Sequence, residues 1–237
     1  MKYLITFGYD GSKFHGFQRQ KNMRNVQGTI ENVLSLYLEE TIVIKGAGRT
    51  DAKVHACEQA AHFETEKEID FNVLKDLLQK ENIDLKYMKI VDDNFHARYS
   101  AKKKIYCYKI NLGKFDSRLI GYMYQPRFKI DINRIKEAQN IFIGVHDFRN
   151  FVSGYRDNYI TCISKIEIKL ENDILILTFE GTAFYRYMVR NIVGALIDLG
   201  KGKVSVMDLK KMLDNYEIPK QLSTAIADGL YLLKVEY

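Results

Sequence analysis

Tryptophan is absent from the 237 residues, and there are only two prolines and three cysteines. Pro126 and Pro219 are too few to build a stiff linker, and no Gly/Ser-rich or low-complexity stretch divides the chain. Cys57, Cys107 and Cys162 lie far apart and form no CxxC pair, so reduced thiols are expected rather than a disulfide or zinc framework. No apolar run is long enough to cross a bilayer. The opening residues, MKYLITFGYDG, start directly on a strand-like alternation, without the basic and apolar regions of a signal peptide. A cytoplasmic protein without membrane contact is therefore the expectation.

What is present is ordinary for a globular chain: 46% hydrophobic and 28% charged residues, enough for one large domain or two small ones. Lysine and arginine number 36 against 30 acidic residues, a net charge of +6. Such an excess points to nucleic acid only where it is clustered. Two runs qualify, residues 98–104 (RYSAKKK) and 201–211 (KGKVSVMDLKK). Taken alone, each reads first as a solvated face.

Periodicity divides the chain into two similar halves. Residues 2–7 alternate as a strand, and Ile30, Val33, Leu34, Tyr37 and Leu38 recur at helical spacing. Residues 41–45 and 57–65 read as strands. Residues 71–82 form an amphipathic helix capped by Asp70, and 84–91 close as a strand. The second half repeats the order: strand 104–110, helix 131–142 with Gly144 as a stop, strands 163–171 and 173–181 joined at Asn172-Asp173, helix 183–200, a shorter helix 205–214 with Ser205 and Asp208 at capping-box spacing, and strand 229–237. Two βαββαβ units predict an α+β protein of two ferredoxin-like halves, residues 1–100 and 101–237. Their strands would form a continuous, mainly antiparallel sheet, with helices on one face and a central cleft. The boundary falls near residues 92–103.

Residues 45–56, KGAGRTDAKVHA, set Arg49, Thr50, Asp51, Lys53 and His55 on small residues that let the backbone turn tightly or approach a partner closely. The plain reading of Asp51 is a turn residue bonding its own backbone. The functional reading is a carboxylate with a cationic partner, and Arg49, two residues away, projects to the same side of an extended segment. Asp51 and His55 make a poor metal site, with no second spaced histidine and no acidic cluster. No Gly-Lys-Ser/Thr follows to make a phosphate loop.

Further along, Phe184, Met188, Ile192 and Leu196 form an apolar stripe four residues apart, while Arg186 and Arg190 share another face of the same expected helix. Arginines on an apolar helix either snorkel to water or meet an anion, such as Asp51. Tyr106 follows the run 102–104; it reads as sheet packing or as a stacking face for a splayed base. Residues 8–20, GYDGSKFHGFQRQ, carry Lys13, Gln18 and Arg19 and read either as a plain surface loop or as a phosphate contact.

These segments in this order resemble the tRNA pseudouridine synthase A family over essentially the whole chain. The resemblance is carried by YDGSKFHGFQRQ, GRTDAKVHA, FHARYSAKKKIYCY, GVHDFRNF, MVRNIVGALIDLG and GLYLLKVEY. It implies two ferredoxin-like halves with a catalytic cleft between them. It implies a homodimer that binds the anticodon stem-loop of tRNA and needs no metal or organic cofactor. By the same resemblance Asp51 is the catalytic residue, Arg190 the arginine that pairs with it and holds it ionised, and Tyr106 the active-site tyrosine. Arg49 would steady the flipped nucleotide. Arg98, Lys102, Lys103, Lys13, Gln18, Arg19 and His55 would contact substrate, with His55 alternatively supporting the loop by a backbone hydrogen bond. Asp51 either attacks the sugar or acts as a base in an elimination.

The chain departs from the family pattern at several positions. Lys53 stands where glycine is usual, Lys104 where arginine is usual, Phe17 for tryptophan and Ile226 for proline. If position 53 requires positive φ, a lysine there costs roughly 1 kcal/mol or more. Three other functions remain in view: a non-catalytic RNA-binding module, a metal-dependent nuclease on the same scaffold, and a protein-binding module using only its sheet faces.

Overall fold

Long buried runs on β1 (Lys2–Tyr9) and β3 (His55–Glu64) build the first sheet in the computed structural model, which describes residues 1–214 and 222–237. The chain clusters into two compact units, Met1–Lys102 with Tyr231–Tyr237, and Lys103–Leu230. Both are mixtures of helices and mostly antiparallel strands.

In the first unit, β1 (Lys2–Tyr9) runs between β3 (His55–Glu64) and β4 (Ile83–Val91), antiparallel to both. The two-residue β2 (Lys45–Gly46) pairs antiparallel with β3. On β3, His55 and Ala56 lie opposite Tyr231 and Leu232 of β9 (Leu230–Glu236), in parallel. The helices are α1 (Val26–Leu38) and α2 (Phe71–Lys80), which pack on each other, with α2 also against β4. Ile30, Leu34, Leu74 and Leu78 are fully buried, as their spacing requires. The Asp70 carboxylate accepts from the Asn72 and Val73 N–H groups, the expected cap.

Residues 41–45, expected as a strand, pair with β3 only at Lys45 and Gly46. The reason lies in the backbone donors. Ile42 N–H goes to Ser35 Oγ at 2.9 Å and Ile44 N–H to Glu31 Oε1 at 3.1 Å, so α1 side chains take bonds that a ladder would otherwise use.

In the second unit, β5 (Lys103–Asn111), β8 (Ile174–Gly181), β7 (Ile160–Glu171) and β6 (Gly144–Asp147) lie side by side in that order, all antiparallel. Asn172 and Asp173, both at positive φ (48° and 66°), make the tight β7–β8 turn. The helices are α3 (Ile132–Ala138), α4 (Met188–Gly200) and α5 (Val206–Leu213). A 3-10 turn, Gln139–Phe142, completes the helix expected over 131–142, and Gly144 at φ +115° opens β6. Ser205 and Asp208 form the reciprocal capping box at the start of α5.

The helix expected from residue 183 starts only at Met188, because Tyr187 takes a left-handed conformation (φ 63°). Arg186 and Phe184 therefore precede the helix rather than share its faces. Met188, Ile192 and Leu196 remain fully buried.

Candidate active site

Two loops of the first unit clasp each other around Asp51. The Thr50 carbonyl accepts from the Phe17 N–H at 3.1 Å, and the Thr50 hydroxyl lies 2.8 Å from Tyr9 Oη. Burial pushes the Tyr9 phenol up to about 12, so it stays protonated for that bond at neutral pH. The Val54 N–H returns to the Asp51 carbonyl at 3.2 Å, closing a turn in which Lys53 sits at φ 68°. Glycines make the close approach possible. A Cβ on Gly11 would fall 2.3 Å from the Val54 oxygen, and one on Gly16, at φ +86°, 3.0 Å from the Thr50 oxygen. Asp51 is half-buried, with Arg49 and Lys53 exposed on either side.

His55 is only 3% exposed. Its ring stacks on Tyr231 at 4.5 Å, and Nδ1 accepts from the Gly11 N–H at 3.1 Å. Asp10 Oδ1 is 3.3 Å from the same nitrogen. His55 thus sits beneath the loop and ties it to residues 10–11.

The other first-unit residues fall in different settings. Lys13 and Gln18 are exposed. Arg19 is exposed too, but its Nη1 is 3.2 Å from Oε2 of Glu31, a residue 5% exposed on α1. That contact is an ion pair without hydrogen-bond alignment, since Oε2 lacks an aligned donor among the described residues. Oε1 of Glu31 accepts from Gln27 and Ile44 instead. Glu31, which no sequence pattern singled out, therefore holds both Arg19 and the approach to β2. Arg98 is exposed, with its guanidinium 5.6 Å from the Tyr99 ring centre. Lys102 is exposed, and its backbone N–H bonds the Glu236 carbonyl at 2.8 Å.

In the second unit, Lys103 Nζ pairs with Glu180 at 3.1 Å. Tyr106 is 8% exposed, paired across the sheet with Phe179 and meeting Phe184 edge-on at 5.2 Å. Arg190, half-buried in the first turn of α4, donates from Nε to the Ala225 carbonyl at 2.8 Å. Its guanidinium lies 4.6 Å from the Tyr187 ring centre, and that of Arg186 lies 5.1 Å from the same centre. The two arginines thus meet across one tyrosine, although only Arg190 is helical.

The segment 222–226 is lashed along α4. A Cβ on Gly194 would come within 1.8 Å of the Ser223 oxygen, so the backbones touch. Asp198, 1% exposed, accepts from the Ser223 N–H and hydroxyl and pairs with Lys203 at 3.0 Å. Ile226, at φ −61° and ψ 155°, keeps the conformation that a proline would impose. Its carbonyl accepts from Tyr108 Oη at 2.8 Å. Among the described residues no group of three or more His, Cys, Asp or Glu side chains is placed to hold a metal ion.

Comparison with known proteins adds sequence relatives. A family model described as tRNA pseudouridine synthase matches residues 5–100 and 138–237. A tRNA pseudouridine synthase A from Dictyoglomus thermophilum is 39% identical, covering 100% of both chains. One from Mycoplasmoides gallisepticum is 35% identical over 99% of this chain and 90% of its own. One from Mycoplasma genitalium is 36% identical over 100% of this chain and 98% of its own. Among solved structures, a CRISPR endoribonuclease bound to a 19 nt RNA aligns with a TM-score of 0.22 and 12% identity over 84% of this chain and 97% of that one, too weak a likeness to carry an argument.

Proposed function

The chain belongs to the tRNA pseudouridine synthases, an isomerase family, and we propose that it converts uridine to pseudouridine in the anticodon stem-loop of tRNA with Asp51 as the catalytic carboxylate. The observation that carries this reading is the Asp51 turn itself. A half-buried carboxylate stands on a backbone pinned by Tyr9, Phe17 and Val54, between two exposed cations. Such fixed geometry suits a group that must meet one atom of a substrate.

The reaction breaks the bond between N1 of uracil and C1′ of the ribose and forms one between C5 and C1′. The C5 proton is lost and N1 gains one, so no co-reactant is consumed. A paired base is out of reach, and flipping it out costs a few kcal/mol. In this reading Arg49 steadies the flipped nucleotide and Tyr106 stacks on the uracil and assists loss of the C5 proton. Asp51 attacks C1′ or removes a sugar proton in an elimination. Arg190 meets Asp51 at the flipped uridine and keeps it ionised. The bond from Nε to Ala225 supports that role by fixing the guanidinium's direction. Lys13, Gln18, Arg98, Lys102 and Lys103 contact the RNA. His55 acts through the loop it supports, and Arg19 after sharing its charge with Glu31.

We read the units as ferredoxin-like halves of a cytoplasmic homodimer. The order β4-β1-β3-β2 with antiparallel neighbours supports this for the first.

The test is Asp51→Asn with unmodified tRNA and carbodiimide mapping of the product. Pseudouridine formation should fall by at least about 10³-fold while tRNA binding survives. Substantial turnover by that variant removes Asp51 from its role.

A further inference from the structure

A chain of arginine–tyrosine stacks runs outward from Arg190 along the second unit. Arg190 and Arg186 lie over the Tyr187 ring, and Arg156 lies over Tyr185 at 4.1 Å from its centre. Next to Arg156 is Tyr155, 90% exposed. A tyrosine so fully presented on a loop buries nothing of its own chain.

The loop that presents it is held in place. The Ser153 N–H bonds the Arg186 carbonyl at 3.0 Å. Tyr159 Oη accepts from the Arg156 N–H at 2.9 Å and donates to the Gly154 carbonyl at 3.3 Å. Tyr185 Oη donates to the Ile160 carbonyl at 2.7 Å, so the ring beneath Arg156 is itself fixed. The ordering cost of presenting Tyr155 is thus largely met before any partner arrives.

We propose that Tyr155 and Arg156 form an RNA-docking site on the second unit, in which the Tyr155 ring stacks on an unpaired base of the tRNA and Arg156 meets a neighbouring phosphate. The proposal rests on tRNA being the substrate. The chemistry selects an unpaired nucleotide. An aromatic face accepts any base, and an adjacent guanidinium donates to phosphate. The stacks run through residues 185–187 to Arg190, so the contact falls on RNA that reaches Arg190 in the second unit.

The experiment measures binding of an unmodified tRNA transcript to the full-length protein over a salt series, in the wild type and in the Asp51→Asn background, so that turnover does not enter. Tyr155→Ala should weaken the Kd about 5- to 100-fold with an unchanged salt slope, because a stacking contact carries no charge. Tyr155→Phe should restore binding to within about 2-fold. Arg156→Gln should lower the salt slope by about 1. The exposed position of Tyr155 leaves the melting temperature of each Tyr155 variant at the wild-type value. Binding by Tyr155→Ala within 2-fold of wild type overturns the proposal. So does a weakening that tracks a lowered melting temperature and is not rescued by phenylalanine. If Tyr155→Ala loses affinity while Asp51→Asn still forms pseudouridine, the docking site stands and the catalytic assignment falls.

Discussion

Arg190 and Ala225 hold each other in both directions: Arg190 Nε donates to the Ala225 carbonyl at 2.8 Å, and the Ala225 N–H donates to the Arg190 carbonyl at 3.0 Å. The side chain of the first helical turn is thereby tied to the same residue as its own backbone. Tyr187 below the guanidinium closes the third side. With Gly194 and Asp198 fastening Ser223 further along the helix, the orientation of Arg190 is set by packing over about two turns.

Replacement by lysine tests whether that orientation matters. Arg190→Lys keeps the charge but loses the planar fork that bonds Ala225 while presenting its remaining donors elsewhere. The expected result is a fall in kcat of about 10²-fold or more, with KM for tRNA within about 3-fold of wild type and an unchanged fold by circular dichroism. A kcat near the wild-type value would mean that Arg190 supplies only charge, or no part of the reaction.

Much of this arrangement was legible in sequence because short-range rules governed it. The Asp70 cap, the Ser205–Asp208 box and the Asn172-Asp173 turn each rest on residues within four positions of one another. Signals failed where a distant side chain displaced a local preference. Residues 41–45 alternate like a strand, yet Ser35 and Glu31 take the N–H groups of Ile42 and Ile44. The arginine spacing at 186 and 190 looked helical, yet Tyr187 turned the chain out of the helix. The pairing of Arg19 with Glu31 spans twelve positions and left no pattern to read. For the candidate site, residues 8–20 read as a loop, but nothing in the sequence marked Gly11 and Gly16 as the points where the two loops touch.

Lys53 carries backbone strain in the loop that holds Asp51. At φ 68° a lysine costs roughly 1 kcal/mol relative to glycine, and its side chain is exposed, so no burial offsets the cost. Lys53→Gly should therefore raise the unfolding free energy by up to about 1 kcal/mol in urea titrations, whereas Lys53→Ala should not. If the strain is retained for an RNA contact, both variants lower the salt slope of tRNA binding by about 1. A Lys53→Gly protein no more stable than wild type would show that the turn is set without strain at this residue.

Acid should loosen the segment that carries Arg98. His62 on β3 is 2% exposed, and its Nδ1 accepts from the Ala97 N–H at 3.0 Å. Its pKa is pushed down to about 4, first by burial and then by the positive charge of His96, Lys2 and Lys45, with Glu64 acting in the opposite direction. In the unfolded chain an ordinary histidine titrates near 6.5, so between these values the unfolded state binds more protons than the folded one. The contribution of the neutral imidazole is complete above about pH 6.5 and is lost as the pH falls through about 4. Protonation at Nδ1 also removes the acceptor that Ala97 uses. Urea unfolding should therefore show a loss on the order of 1–3 kcal/mol between pH 6.5 and 4 that His62→Gln, which keeps an acceptor but does not titrate, lacks. Carboxylates also titrate in the lower part of this range, so the difference between the two proteins is the quantity to compare. Identical pH dependence in both would show that the His62–Ala97 bond is not what acid breaks.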